Sequence, residues 1–272
     1  MLIKMEALNS AGDLLTLVLD DVSDGLVLKD VGGLGPVKAT IVSSRFASLP
    51  GAQYHSSSRE TRNVVISIEL QPDYVSTSVQ DLRMMLYDFF MPDDSVTLTF
   101  YDSVRPTVKT SGSVETCEPT IFAKEPSMTI SVICFDPDLL PLDSETVSDV
   151  TVSDTSETTV PYDGNIKTGY ELELDVDRDL AEFSVYTRAP DGTVQTMNFV
   201  VDLEADDVVK IGTVQGNKYV TLTRASVTTS ILYAKTSPGW PKLAKGDNKI
   251  RVYAIGTAIP WTLTYLPRYG GL

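Results

Sequence analysis

Histidine is almost absent from this chain and cysteine is scarce: its 272 residues include one histidine, His55, and two cysteines, Cys117 and Cys134. One histidine excludes a multi-His metal centre within the chain and leaves little room for imidazole acid–base chemistry. Two cysteines argue against a disulfide framework and against a Cys-built metal site, and a chain this long buries a core without either staple. Bases are also few, 22 against 37 acids, for a net charge of −15. A chain so acidic neutralises phosphates poorly, so tight nucleic-acid binding is not expected. Long apolar runs are missing: Leu14–Leu19 is short and lies between Asp13 and Asp20, which argues against membrane insertion. No targeting or lipidation signal is read near Met1–Glu6. Synthesis in a reducing cytoplasm is therefore expected, with both cysteines as buried thiols.

What is present is β pattern. Hydrophobic residues make up 42% of the chain and mean hydropathy is +0.01, a globular rather than disordered composition. Period-two alternation predicts strands at Asn63–Leu70, Ser95–Phe100, Thr129–Cys134 and Tyr170–Asp177. Further strands are expected at Ala181–Arg188, Thr193–Val201, Tyr219–Thr223, Lys249–Ala254 and Trp261–Tyr265, where Thr, Val and Tyr dominate. One helix is predicted near 79–91. Ser78 and Asp81 are spaced as a capping box, Val79, Leu82, Met85, Leu86, Phe89 and Phe90 recur at helical spacing, and Pro92 follows. The Met and Phe stripe reads as core packing.

The stretch 136–159 combines two prolines with a run rich in Ser, Thr, Asp and Glu, the composition of an exposed connection. Two domains are expected, 1–137 and 138–272. Charge is uneven in the second: residues 138–207 hold 18 acids and 3 bases, a net −15, whereas 208–272 hold 1 acid and 9 bases, a net +8. Acidic and basic strands that face each other, or that expose different sides, account for this; a docking surface of two signs is the alternative.

The chemical motifs are mostly negative. Asp175–Asp179 with Glu182 superficially resembles a calcium loop, but Leu180 stands where the loop needs glycine and strand alternation explains the spacing. His55 sits in Gly51–Ser58, read as a flexible loop, without a nucleophile motif such as G-x-S-x-G. Gly32–Gly35 precedes Pro36 rather than a helix, which suits a turn and not a phosphate loop. No catalytic residue, metal ligand or cofactor is assigned. Tyr233, Trp240, Tyr253 and Trp261 are the candidates for stacking on a glycan, with core packing as the plainer account. The residues alone thus favour a structural or binding role over an enzyme.

Several short motifs add a resemblance. Gly33-Leu34-Gly35-Pro36-Val37-Lys38-Ala39, then Leu49-Pro50-Gly51, then Arg59–Ile68 resemble the opening of the siphophage distal tail protein (Dit) family. Trp240–Leu243, Gly246–Ile250 and the closing Arg268–Leu272 are similar to its last strands. The resemblance implies an all-β fold with one flanking helix: an N-terminal split β-barrel like that of tail tubes, over 1–137, and a C-terminal sandwich like a galectin or carbohydrate module, over 138–272. It implies a homo-hexameric ring at the virion tail tip that lets DNA pass. Implied partners are the tail tube protein, the tape measure protein and tail-associated hub or receptor-binding proteins. A carbohydrate-binding, lectin-like module and a tail-tube subunit are the other two readings.

Overall fold

The computed structural model describes residues 2–272 apart from 23, 48, 49, 122, 123, 152–155 and 257. Met1, Leu49 of the Pro-Gly loop and residues 152–155 of the Ser/Thr-rich connection thus lie outside the described residues. The chain is almost all β and forms two compact units, Met1–Leu142 with Tyr269–Leu272, and Asp143–Arg268. The last four residues therefore return to the first unit.

Apart from a separate two-stranded sheet, the first unit is built on one strongly curled antiparallel sheet. Its strands run in the order Leu14–Val18, Leu2–Asn9, Ser95–Asp102, Val108–Pro119, Ser127–Cys134, Arg62–Leu70, Leu26–Gly32. Val64, Ile66, Ile68 and Leu70 alternate inward and are buried, as are Ile130 and Val132 opposite them. Each such side chain contributes about 1.5–3 kcal/mol on leaving water. The two outer strands approach each other through a parallel bridge between Leu19 and Leu28, where the Asp20 N–H donates to the Leu28 carbonyl at 3.1 Å. Curling in this way nearly closes the sheet into a barrel and shields its edges.

The helix Val79–Phe90 covers the barrel core. Its first turn closes as the spacing predicts: the Asp81 N–H donates to Ser78 Oγ at 3.3 Å, and the Ser78 N–H donates to Asp81 Oδ2 at 2.9 Å. Leu82, Leu86 and Phe90, four residues apart, are buried in the same core as Ile66 and Phe100. Met85 is 40% exposed and Phe89 only half-buried, so the inward stripe is narrower than the expected run of Met and Phe. The helix ends one residue before the expected 91, because Met91 precedes Pro92 and is extended.

A second difference from expectation is at His55. Gly51–Ser58 reads as a flexible loop, yet Gln53–Arg59 is a strand, antiparallel to Ala39–Ser44. Serine gives this segment no alternation; its partner strand supplies the pairing. Cys134 is buried and Cys117 half-buried, and both are free thiols. Burial raises both thiol pKa values, that of Cys117 to about 11.

The second unit is a β-sandwich. One sheet runs Glu145–Val150, Pro260–Tyr265, Tyr170–Asp175, Val208–Val214, Asn217–Arg224, Val227–Ser230. The other runs Thr158–Tyr162, Gly246–Tyr253, Leu180–Arg188, Val194–Leu203. Inward residues of both sheets form one core, among them Tyr170, Leu172, Trp261 and Leu263 with Phe183, Val185, Phe199 and Ile250. Phe183 and Phe199 stack with centroids 4.6 Å apart, and the buried Tyr170 hydroxyl is satisfied by Thr187 Oγ1 at 2.8 Å.

Candidate functional site

Segments far apart in sequence meet on one arginine of the first unit. Arg62 opens its strand in phase with Val64, Ile66, Ile68 and Leu70, so alternation turns its side chain inward with theirs. It is fully buried. Its guanidinium donates only to backbone carbonyls: Nε to Pro137 at 3.0 Å, Nη2 to Pro137 at 2.7 Å and to Gly270 at 2.8 Å, and Nη1 to Gly35 at 2.9 Å and to Gly33. Burial pulls the guanidinium below its ordinary pKa, but an arginine stays charged throughout the neutral range. The carbonyl dipoles take the place of the lost water.

The surrounding backbone is shaped to reach this group. Gly33 has φ of +84°, and a Cβ there would lie 1.8 Å from the Asn63 carbonyl oxygen. A Cβ on Gly271 would lie 2.7 Å from the Pro36 nitrogen. The Leu272 N–H donates to the Leu34 carbonyl at 2.9 Å, and Leu139 and Tyr269 exchange backbone hydrogen bonds at 2.8 and 2.9 Å. Beside them Arg59 forks onto the buried Asp138 carboxylate, with Nη2 3.1 Å from Oδ2 and Nη1 on Oδ1. That hydrogen bonding holds Arg59 above its ordinary pKa. The result is a clasp that ties the Gly33–Gly35 turn, residues 137–138 and the C-terminal residues to one strand.

From the clasp rises the hairpin of Ala39–Ser44 and Gln53–Arg59, which forms a sheet of its own and is exposed at every residue. It carries Ile41, Val42 and Tyr54, which are 64%, 51% and 62% exposed. His55 Nε2 lies 2.7 Å from Ser44 Oγ across the hairpin. Among the described residues no carboxylate orients this imidazole, so the pair lacks the third group of a nucleophilic site.

In the sandwich, acidic and basic strands face each other, the first of the two expected explanations of the charge asymmetry. Lys210 Nζ meets Glu173 Oε2 at 2.7 Å across neighbouring strands, and Arg224 meets Asp207 at 2.6 Å and Glu204 at 2.8 Å. The buried Asp207 also accepts from the Glu204 N–H at 2.8 Å. Its hydrogen bond from Arg224, with that N–H, holds its carboxyl below the usual range.

The four aromatic candidates are not brought together. Trp261 is 2% exposed and pairs with Leu174 and Asp149 within its sheet, so as core it offers no face to a ligand. Tyr253 ends a strand of the other sheet and is half-buried. Tyr233, on the short 3-10 turn Leu232–Ala234, is 80% exposed. Trp240 lines a cleft of about 190 Å³ with Lys167, Asp191, Thr193, Gln195 and Lys242. Lys235 Nζ lies 4.7 Å and Lys218 Nζ 5.5 Å from the centre of its ring. Sequence reasoning missed these lysines as a group; the signal for Lys218, Lys235 and Lys242 was the excess of bases in 208–272, whereas Lys167 lies in the acidic stretch before it.

No protein-family model matches the chain, and no curated protein matches it in sequence. Among solved structures, the Dit protein (gp 19.1) of phage SPP1 aligns with a TM-score of 0.69 at 15% identity, over 96% of this chain and 98% of that one. The chain folds like SPP1 Dit. The resemblance carried by short sequence motifs thus extends, as fold, over both units. SPP1 Dit is described as a paradigm of the hub adsorption apparatus in phages that infect Gram-positive bacteria. The phage P2 baseplate in its activated, calcium-containing conformation aligns over 97% of this chain and 98% of its own, at 10% identity and a TM-score of 0.47, a likeness too low to add to the argument. Against SPP1 Dit, the motifs quoted from the sequence have structural work: Gly33–Pro36, Arg62 and Gly270–Gly271 meet in the clasp. In the sandwich, Asn248 is buried and closes the turn at 244–248, where it accepts from the Ala244 N–H at 3.0 Å and donates to the Ala244 carbonyl at 2.8 Å.

Proposed function

We propose that this chain is a structural protein of a phage tail tip, a distal tail protein that forms a ring of six and joins the tail tube to the adsorption apparatus. The observation that carries this reading is the likeness to SPP1 Dit over 96% of the chain. The role is scaffolding. Its partners are the tube and tape measure proteins on one side and hub or receptor-binding proteins on the other, and no bond is made or broken.

The hairpin supports the ring. An isolated two-stranded sheet is marginally stable in water, and this one exposes Ile41, Val42 and Tyr54. A neighbouring copy that covers these residues would remove that cost. Charge sets the character of the channel. Residues 1–137 hold 10 bases and 18 acids, a net −8, so six copies carry −48 around one axis. An acidic lumen repels phosphates and releases no counterions, so DNA passes without being held. Repulsion between copies opposes closure, so rings should gain stability with added salt until charges are screened over about 8–10 Å.

Electron microscopy and native mass spectrometry of the purified chain across a salt series test the reading. Six-membered rings with lobes are expected, and Ile41→Asp with Val42→Asp should return them to monomers while leaving the circular dichroism unchanged. Stacked tubes would favour a tube subunit, and monomers at every salt concentration would overturn the ring.

A further inference from the structure

The structure assigns the Trp240 cleft of the sandwich as a binding site for an acidic sugar, one that carries a carboxylate or phosphate beside free hydroxyls. This inference does not rest on ring assembly.

Lys210 and Arg224 of the sandwich have carboxylate partners. The lysines around Trp240 are placed differently. Lys218 and Lys235 lie over the ring of Trp240, and Lys167 and Lys242 line the cleft to which that ring contributes. Among the described residues none of these four lysines forms an ion pair. In a chain of net charge −15, acids to pair with them are plentiful, yet Lys242 Nζ has a neutral acceptor, Gln215 Oε1 at 3.1 Å, and Lys167 has only the longer-range attraction of Asp191. Lys235 is held in place by the ring and by a hydrogen bond to the Ser237 carbonyl. Burial and the nearby Lys218 lower its pKa, the signature of a cation placed where it is not comfortable. An anion in the cleft, beside the ring that both ammoniums flank, offsets that repulsion.

The remaining lining narrows the class of ligand. Asp191, Thr193 and Gln195 present acceptors and donors suited to hydroxyl groups. A carboxylate inside the cleft disfavours a ligand that is anionic all over, and instead matches one that has hydroxyls on one side and charge on the other. The part of the indole that lines the cleft lends apolar surface to the sugar. A volume of about 190 Å³ lies below the roughly 300–1,000 Å³ of drug-sized sites. It therefore admits one sugar unit, free or within a polymer.

The chain reports on this site by itself. Trp240 and Trp261 are the two tryptophans, and Trp261 is buried in the core, so a ligand in the cleft alters the emission of Trp240. Glucuronate and glucose 1-phosphate, added to the full chain at low salt, should each produce a saturable change, while glucose at equal concentration produces none. Lys218→Gln with Lys235→Gln should weaken that binding at least tenfold with the melting curve preserved, and Trp240→Phe should remove the signal. A calorimetric titration of Trp240→Phe separates loss of signal from loss of binding. Absence of a saturable response to either acidic sugar, or an equal response to glucose, would overturn the site. So would wild-type affinity in the double lysine variant. Inorganic phosphate bound as tightly as the sugar phosphate would reduce the site to a simple anion pocket. A glutamate-rich peptide that binds more tightly than either sugar would replace the sugar with an acidic protein partner.

Discussion

Arg62 and the lysines around Trp240 are cations treated in opposite ways. Arg62, in the barrel, is fully buried and spends its donors on the carbonyls of Gly33, Gly35, Pro137 and Gly270. Lys218 and Lys235, in the sandwich, gather on one indole ring, and Lys235 also donates to the Ser237 carbonyl. A guanidinium fork can satisfy several fixed acceptors at once, whereas an ammonium is a mobile point charge. The contrast separates a cation that holds the fold from cations that await a partner. It also ranks what their removal should cost.

The largest effect is expected at the clasp. Arg62→Met keeps much of the volume but leaves four backbone carbonyls buried without donors, and should cost about 3–5 kcal/mol by analogy with breaking a buried charge network. Arg62→Lys should recover little of this, because one ammonium cannot reach carbonyls on opposite sides of the fork. Chemical denaturation of the full chain measures both. A loss below about 1 kcal/mol would show that the clasp is decoration and erase the contrast with the lysines.

A smaller, pH-dependent effect is expected at Asp207, the buried anion of the sandwich. Its folded pKa is depressed, chiefly by hydrogen bonding from Arg224. The stabilisation it provides is therefore complete above the unfolded value of about 4 and declines as pH falls through that value towards the lower folded one. The stability gap between the parent chain and Asp207→Asn should be widest near neutrality and narrow below about pH 4. Urea titrations at several pH values check the sign; a gap that widens on acidification would mean that the carboxylate is not held charged.

These residues also show where sequence is informative. The helix Val79–Phe90 was legible because its cap and its i, i+4 stripe are local. Strands such as Arg62–Leu70 and Pro260–Tyr265 were legible from alternation, and Trp261, in phase with Leu263 and Tyr265, carries the mark of a core residue in that pattern. Arg62 carries the same mark, in phase with Val64 and Ile66, but a charged residue at a strand start reads as exposed. Its partners are not local at all: Gly270 lies 208 positions away. The strand Gln53–Arg59 was illegible because a serine run has neither alternation nor β propensity, and only Ala39–Ser44 gives it pairing. The Trp240 cleft failed for a related reason. Lys167, Lys218 and Lys235 come from separate segments that meet only in the folded sandwich.

The smallest effect on stability is expected where the effect on binding is largest. Lys218 is a surface cation 5.5 Å from the centre of the Trp240 ring, with Lys235 on the same ring and lowered in pKa partly through it. Removing its charge takes away repulsion and gives up a cation–π contact with Trp240, and among the described residues it breaks no ion pair. These effects oppose each other, so Lys218→Gln should change unfolding free energy by less than about 0.5 kcal/mol, the usual range for surface sites. Because Lys218 is exposed, the part due to repulsion should shrink as salt rises and the screening length falls below about 10 Å. Thermal melts of the parent and Lys218→Gln at low and high salt make the comparison. A large loss would place Lys218 with Arg62 among the cations that hold the fold. A small, salt-sensitive change would leave the charge without a structural task and sharpen the case that its task is a ligand.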